Sequence, residues 1–320
     1  MSVLIFIEVA NGHVKNSSLE VISYGVKIAE KLNTTAHGII LGTVTDDLTA
    51  LGKYGVTAIH HFSSESLNHF DDQTYSKTIA ALMDKTESKV LVLSNNIAGK
   101  AIAPRLSARL KAGLVSGVIE IPDVNNGFVV KKAVFSGKAF AHISIKTEIK
   151  IVTLNPNAYQ VVVKEGTAEI IQHEVPAMNS AVKIIAVNKL SGEVSLTEAK
   201  IVVSAGRGLK GPENWGLVED LAKVLHAATA CSRPVADANW RPHNEHVGQT
   251  GTTIAPTLYI AIGISGAIQH LAGINRSKVI VVINKDPEAP FFKAADYGII
   301  GDAFEILPKL TQAFQQLKSN

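Results

Sequence analysis

Apolar positions fall into short β-branched runs separated by amphipathic stretches. VLIFIEV (3–9) is followed by SSLEVISYGVKIAEKLN (17–33), where Leu19, Ile22, Val26, Ile28 and Leu32 recur at near-helical spacing behind a serine suited to cap the helix. GIILG (38–42) precedes a short helix, and VTAIHHF (56–62), TYSKTIAALMDK (74–85), KVLVLSNN (89–96) and AIAPRLSARLKAGL (101–114) continue the alternation. Strand alternating with helix predicts a parallel sheet covered on both faces.

From residue 115 the pattern changes to short alternating strands and turns, with hairpin-turn chemistry at Asn125, Asn126 and Gly127. This reads as an antiparallel addition that runs on through AVKIIAV (181–187). The polar stretch NKLSGEVSLTEAK (188–200) is the best linker candidate. A second α/β pattern follows: KIVVSAGRG (200–208), ENWGLVEDLAKVLHAA (213–228), LYIAIGISGAIQHLAG (258–273), KVIVVINKD (278–286), YGIIGD (297–302) and the helix FEILPKLTQAFQQLK (304–318). The expected fold is α/β with two domains, 1–188 and 189–320, each a mostly parallel, Rossmann-like sheet with flanking helices.

Composition agrees with two cores. The 320 residues are 46% hydrophobic and 18% charged, with a formal net charge of +3. No basic run with interleaved aromatics is present, which argues against nucleic acid as a partner. The single cysteine, Cys231, excludes an internal disulfide and fits a reducing compartment. The start MSVLIFIEVANGH lacks secretory-signal features and no apolar run reaches membrane-span length, so a cytoplasmic protein without membrane insertion is expected.

Candidate chemistry concentrates in the second domain. G-R-G-L-K-G (206–211) has the GxGxxG spacing after a strand and before a helix, the context of a dinucleotide turn. Pro212 places the helix start late, however, and no acidic residue ends a following strand about twenty positions on, so glycines required for turn geometry alone remain an equal reading. CSRPVADANW (231–240) and VGQTG (247–251) supply Ser232, Arg233, Gln249 and Thr250 in loops at strand ends. In GISGAIQHLAG (263–273), Ser265 is expected to cap a helix and Gly266 to let a ligand approach the backbone. Gln269 and His270 then follow within the turns nearest that ligand. Asn284 ends a strand on the expected ligand side. The histidines His60, His61, His243 and His246 lack the acidic or cysteine company of a zinc or iron site, and no G-x-S-x-G elbow is present.

Taken in order, AGRGLKGPEN, CSRPVADA, VGQTG, LYIAIGISGAIQHLAG and INKDPEAPFFKAADYGI resemble the α-subunit of electron transfer flavoprotein, over most of residues 200–305. The first domain resembles it more loosely, through VLIFIE, AIAPRLSARLKAGLVSGV and SGKAFA. The resemblance implies a heterodimer in which the first domain contacts a β-subunit and the second domain holds FAD, with AMP in the β-subunit. It also implies an electron carrier between flavin dehydrogenases, such as the acyl-CoA dehydrogenases of fatty-acid β-oxidation, and a membrane quinone oxidoreductase. Carried over residue by residue, FAD contacts fall on Arg207, Ser232, Arg233, Val247, Gly248, Gln249, Thr250, Ser265, Gly266, Ala267, Ile268, Gln269, His270, Asn284 and Asp302. Trp215 and Trp240 stand where the family more often has other aromatics.

A reduced flavin accumulates negative charge around N1 and the C2 carbonyl, so Arg233 and a charged His270 would raise its potential. Thr250 or its neighbours are assigned to the N5 side, and Arg207 with the Ser265 turn to the phosphates or ribityl chain. Two other classes stay open from the residues alone: an NAD-dependent oxidoreductase built on G-R-G-L-K-G, and a non-catalytic nucleotide-binding module.

Overall fold

The computed structural model describes residues 2–175, 182, 184–186 and 195–319. Of AVKIIAV (181–187), expected to end the first domain's addition, and the expected linker (188–200), 181, 183, 187 and 188–194 lie outside the described residues; 182 and 184–186 form no strand. The chain divides into two compact units, one of residues 1–134 with 138–188, the other of 135–137 with 189–320.

In the first unit nine strands form one sheet: β1 (Ser2–Phe6), β2 (Thr35–Leu41), β3 (Ala58–Phe62), β4 (Val90–Ser94), β5 (Gly113–Val118), β6 (Val129–Val134), β7 (Ala139–Ser144), β8 (Lys150–Leu154) and β9 (Glu169–Gln172). Their spatial order is β9-β3-β2-β1-β4-β8-β5-β6-β7. The period-two rule divides β1 between two cores. Val3, Ile5 and Ile7 pack with Val21, Ile22 and Tyr24 of α1 (Asn16–Lys31) on one face. On the other, Leu4 and Phe6 pack with Ile79 and Met83 of α2 (Asp72–Lys85) and with Ile102 and Leu106 of α3 (Ile97–Leu110).

Two sequence expectations need correction here. No serine caps α1: the extended Lys15 precedes it without a side-chain cap, and Ser18 instead accepts from the Glu8 amide at 2.9 Å. The antiparallel addition is also shorter than expected. Antiparallel pairing joins β5, β6 and β7, but β8 is parallel between β4 and β5, and β9 is parallel to β3. Ile151, Val152, Thr153 and Leu154 of β8 are all buried, as a strand covered on both faces requires.

Across β2, β3 and the residue after β9, three imidazoles form a ladder. His37 Nδ1 and His60 Nε2 share a hydrogen bond at 3.3 Å, and His60 Nδ1 bonds His173 Nε2 at 2.9 Å. His173 stacks on Phe62 with centroids 4.7 Å apart. Burial, then the neighbouring rings, pushes His60 down to about 4, so it is neutral with both nitrogens engaged.

The second unit has a five-stranded, all-parallel sheet of β10 (Ile201–Ala205), β11 (Ala228–Cys231), β12 (Leu258–Ile262), β13 (Val279–Asn284) and β14 (Tyr297–Ile300), in the order β11-β10-β12-β13-β14. On one face Val203, Ile260, Ile262 and Ile283 pack with Val218 and Leu221 of α4 (Gly216–Leu225) and Leu307 of α7 (Ala303–Ser319). On the other, Tyr259, Ala261 and Val282 pack with Ile264, Ile274 and Phe291.

Candidate functional site

In the second sheet the chain leaves β10 for β11 on one side and then returns to β12 on the other. Open parallel sheets bind ligands at such a switch point, beyond the carboxyl ends of the strands. A cavity of about 410 Å³ opens there, within the ~300–1,000 Å³ typical of small-molecule sites. Arg207 lines it from the turn after β10. Ser232 lines it from the end of β11, Arg233 and Pro234 from the start of α5 (Arg233–Asp237), and Gly263, Ile264, Ser265, Ala267, Gln269 and His270 from the segment after β12. His246, Val247, Gly248, Gln249 and Thr250 complete the wall.

Local packing explains why these loops meet. A Cβ on Gly206 would lie 2.4 Å from the Gly263 carbonyl oxygen, and one on Gly208 2.6 Å from Gly263 Cα. Gly206 and Gly208 of G-R-G-L-K-G therefore lock the β10 turn onto the β12 turn, which is the geometric reading left open by the sequence. Arg207 is thrown to the exposed side. Val247 donates to the Cys231 carbonyl at 3.1 Å, fastening the His246–Thr250 wall to the end of β11. That wall is braced by Arg241, which forks onto buried Glu245 at 2.9 and 2.6 Å, bonds Glu219 at 2.8 Å and lies over the Trp215 ring. Breaking such a buried pair is costly because one charge is left uncompensated.

Cys231 is fully buried, and desolvation, followed by nearby Glu245, pushes its thiol up to about 12. It stays protonated and packs.

Several sequence expectations are changed by the geometry. Ser265 does not cap the following helix: α6 (Ile268–Ile274) begins after Ala267, without a side-chain cap. The Ser265 carbonyl instead accepts from the Phe291 amide at 3.1 Å. Gly266 is buried with φ +86°, and a Cβ there would stand 2.5 Å from Phe291 Cα. Its bareness accommodates Phe291 and not a ligand. The charged His270 is corrected as well. The ring is 6% exposed, and desolvation, then His246, pushes it down to about 4, opposed by the weaker pull of the Val247 carbonyl. His270 is neutral at physiological pH. Its Nε2 and the Tyr259 hydroxyl share a hydrogen bond at 2.8 Å, while Nδ1 is buried and makes no bond of good geometry, the Val247 carbonyl being the backbone acceptor beside the ring.

Four of the candidate residues lie outside the cavity lining: Gly266, Ile268, Asn284 and Asp302. Ile268 is 73% exposed. Asn284 donates to the Ile264 carbonyl at 3.1 Å and accepts from the Asp286 amide, so it shapes the β12 turn from the neighbouring strand. Asp302 accepts from the Phe304 amide at 3.0 Å and starts α7. Arg233 reaches Asp237 at 3.3 Å, an exposed pair that leaves its charge largely available. Among the described residues no carboxylate pairs with Arg207.

Pro234, His246, Gly263 and Ile264 line the cavity although none was singled out as a contact. His246 had a readable signal: it directly precedes V-G-Q-T-G. Burial, then Arg233, holds it below the usual histidine value. Among the described residues no group of three or more histidine, cysteine or acidic side chains could hold a metal, and no helix is long and apolar enough to cross a membrane.

Comparison with known proteins fits this geometry. Residues 3–178 match the electron transfer flavoprotein domain and residues 195–275 the electron transfer flavoprotein FAD-binding domain. Electron transfer flavoprotein subunit alpha of Bacillus subtilis is 36% identical over 320 residues, covering 98% of each chain. The chain belongs to the electron transfer flavoprotein α-subunit family. The mitochondrial α-subunit of Dictyostelium discoideum is 34% identical, with 98% of this chain and 92% of that one covered, and the protein FixB of Rhizobium meliloti is 32% identical at the same coverages. Its role is therefore that of an electron transfer flavoprotein, and α-subunit membership implies a β-subunit partner. The matched FAD-binding segment contains every cavity-lining residue, Arg207 through His270; Asn284 and Asp302 fall beyond it.

Proposed function

We propose that this chain holds one FAD in the cavity at the carboxyl ends of β10, β11 and β12, as the α-subunit of a cytoplasmic heterodimer whose β-subunit carries AMP. In this reading it takes electrons from flavin dehydrogenases, such as acyl-CoA dehydrogenases, and passes them to a membrane electron transfer flavoprotein-quinone oxidoreductase. The observation that carries the FAD assignment is the cavity at the sheet's switch point, walled by the cations Arg207 and Arg233 together with the short polar side chains Ser232, Gln249 and Thr250.

The donor set suits a flavin nucleotide. Arg207 and Arg233 bring two exposed cations to the same wall, fitted to phosphates and to negative charge on a reduced ring. Gln249 and Thr250 present exposed polar side chains, with Gln249 held by its amide on the Gln269 carbonyl at 2.7 Å. His270, being neutral, contributes a hydrogen bond and not a charge. Bound there, the flavin supplies reversible electron uptake with no bond made to a metabolite. An NAD-dependent oxidoreductase loses its main support, since Gly206 and Gly208 are occupied by packing against Gly263.

Co-expression with a β-subunit of the electron transfer flavoprotein family tests this reading. A yellow heterodimer that releases one FAD on acid treatment is expected. A colourless protein that binds NADH tightly and reduces a small ketone unaided would overturn it.

A further inference from the structure

We propose that His246 is the proton-accepting group of the cavity wall: it binds a proton when the flavin held there is reduced and releases it on reoxidation. The inference rests on the FAD reading and assigns one residue a further role within that site.

His246 follows the turn His243–Glu245 and bridges to Cys231 at the end of β11. Two glycines let the next loop close over its ring. A Cβ on Gly251 would stand 2.7 Å from His246 Nδ1, and one on Gly248 3.3 Å from Nε2. Gln249 and Thr250, which line the cavity, are the two residues between those glycines. His246 is thus only 8% exposed and still belongs to the cavity lining.

The charged and titratable groups around the ring compensate one another or stay neutral. Arg233 and Asp237 of α5 act on it with opposite signs and pair with each other at 3.3 Å. Glu245, next to it in the chain, is forked by Arg241. Cys231 keeps its proton, and His270 of α6, pushed down to about 4 by burial, stays neutral. His243 adds the smallest of these influences. Burial, then Arg233, holds His246 below the usual histidine value, so at neutral pH it is uncharged in the cavity as it stands.

Reduction changes that balance. Two electrons from a donor dehydrogenase, with one proton bound at N5, leave the flavin with one negative charge around N1 and the C2 carbonyl. Arg207 and Arg233 are permanently protonated and can only screen it. His246 can take a second proton from water, forming one N–H bond and breaking none of its own, which restores the charge of the site. On reoxidation both protons return to water. A unit charge at cavity distances raises such a group by about one pH unit at the effective dielectric of a protein surface.

The test is the titration of His246 by nitrogen NMR in histidine-labelled, flavin-loaded heterodimer, oxidised and then fully reduced. It is joined to the pH dependence of the flavin potential in wild type and His246→Gln, the variant that also assigns the resonance. His246 is expected to titrate about one pH unit higher in the reduced protein, with His270 neutral in both states. A pH unit is a tenfold change in proton activity, or about 30 mV for a two-electron couple. Between the two His246 values the wild-type potential is therefore expected to fall about 30 mV per pH unit more steeply than that of His246→Gln. The same His246 value in both redox states would overturn the proposal without any variant, as would parallel potential slopes in wild type and variant. In either case flavin is bound and the FAD reading stands. Heterodimer that takes up no flavin would remove that reading, and the proposal with it.

Discussion

His60 in the first unit and His270 in the second are both buried, and burial pushes both to about 4. His60 spends both ring nitrogens on His37 and His173, whereas His270 spends one on Tyr259 and makes no bond of good geometry with the other. A depressed histidine therefore does not by itself mark a site, since the same desolvation acts on a ring that only ties strands together. What separates the two is the hydrogen-bond accounting and the place in the fold. The ladder spans the flank of a sheet, whereas His270 lines a cavity at a switch point that Arg207 and Arg233 also line.

The comparison breaks first on stability. His60→Ala removes the middle of the ladder and strands two partners, and is expected to cost about 3 kcal/mol in urea unfolding while leaving flavin content unchanged. An unaltered unfolding midpoint would mean that the ladder is ornamental.

Acid should test both rings. Each folded-state value lies below the unfolded histidine value of about 6.5, so between about pH 6.5 and 4 the unfolded chain binds more protons than the folded one. Stability is full above that window and falls as pH drops through it, by at most about 3 kcal/mol for His270. His270→Gln in flavin-stripped protein should flatten this slope, measured by denaturant titrations at pH 7 and 5. Equal slopes for variant and wild type would contradict a neutral His270.

A smaller effect is expected from charge. Arg233→Ala should lower the flavin midpoint potential by on the order of 10–20 mV, since an exposed cation is worth up to about 1 kcal/mol and 30 mV corresponds to about 1.4. Spectroelectrochemistry of the heterodimer reads this directly, and an unchanged potential would remove Arg233 from the account of tuning. Smallest of all, Ser265→Ala should change the unfolding free energy by less than about 0.5 kcal/mol, because its side chain caps nothing; loss of a true cap costs about 1.

Much of this was legible in the chain. Period-two and near-3.6 patterns located the strands from VLIFIEV to KVIVVIN and the helices between them, because each element buries one or two continuous faces. The stretch that holds the strands Lys150–Leu154 and Glu169–Gln172 was read only as an antiparallel addition, and their parallel direction stayed hidden, since pairing partners far along the chain decide it. In the site, Arg207, Arg233, Gln249 and Gln269 announced themselves as polar residues in glycine-punctuated turns. The state of His270 did not, because its neutrality depends on desolvation in the folded chain and on His246 beside it. The role of Gly266 was equally hidden, since Phe291 reaches it only through the loop after β13.

The most direct measurement is the FAD affinity of flavin-stripped heterodimer, titrated by quenching of flavin fluorescence, in the double variant Arg207→Ala/Arg233→Ala and in His60→Gln. The cavity variant is expected to bind at least about tenfold more weakly, equivalent to about 1.4 kcal/mol, and the ladder variant to bind as wild type does. Wild-type affinity in the cavity variant, or a comparable loss in His60→Gln, would contradict the assignment of the flavin to the second unit.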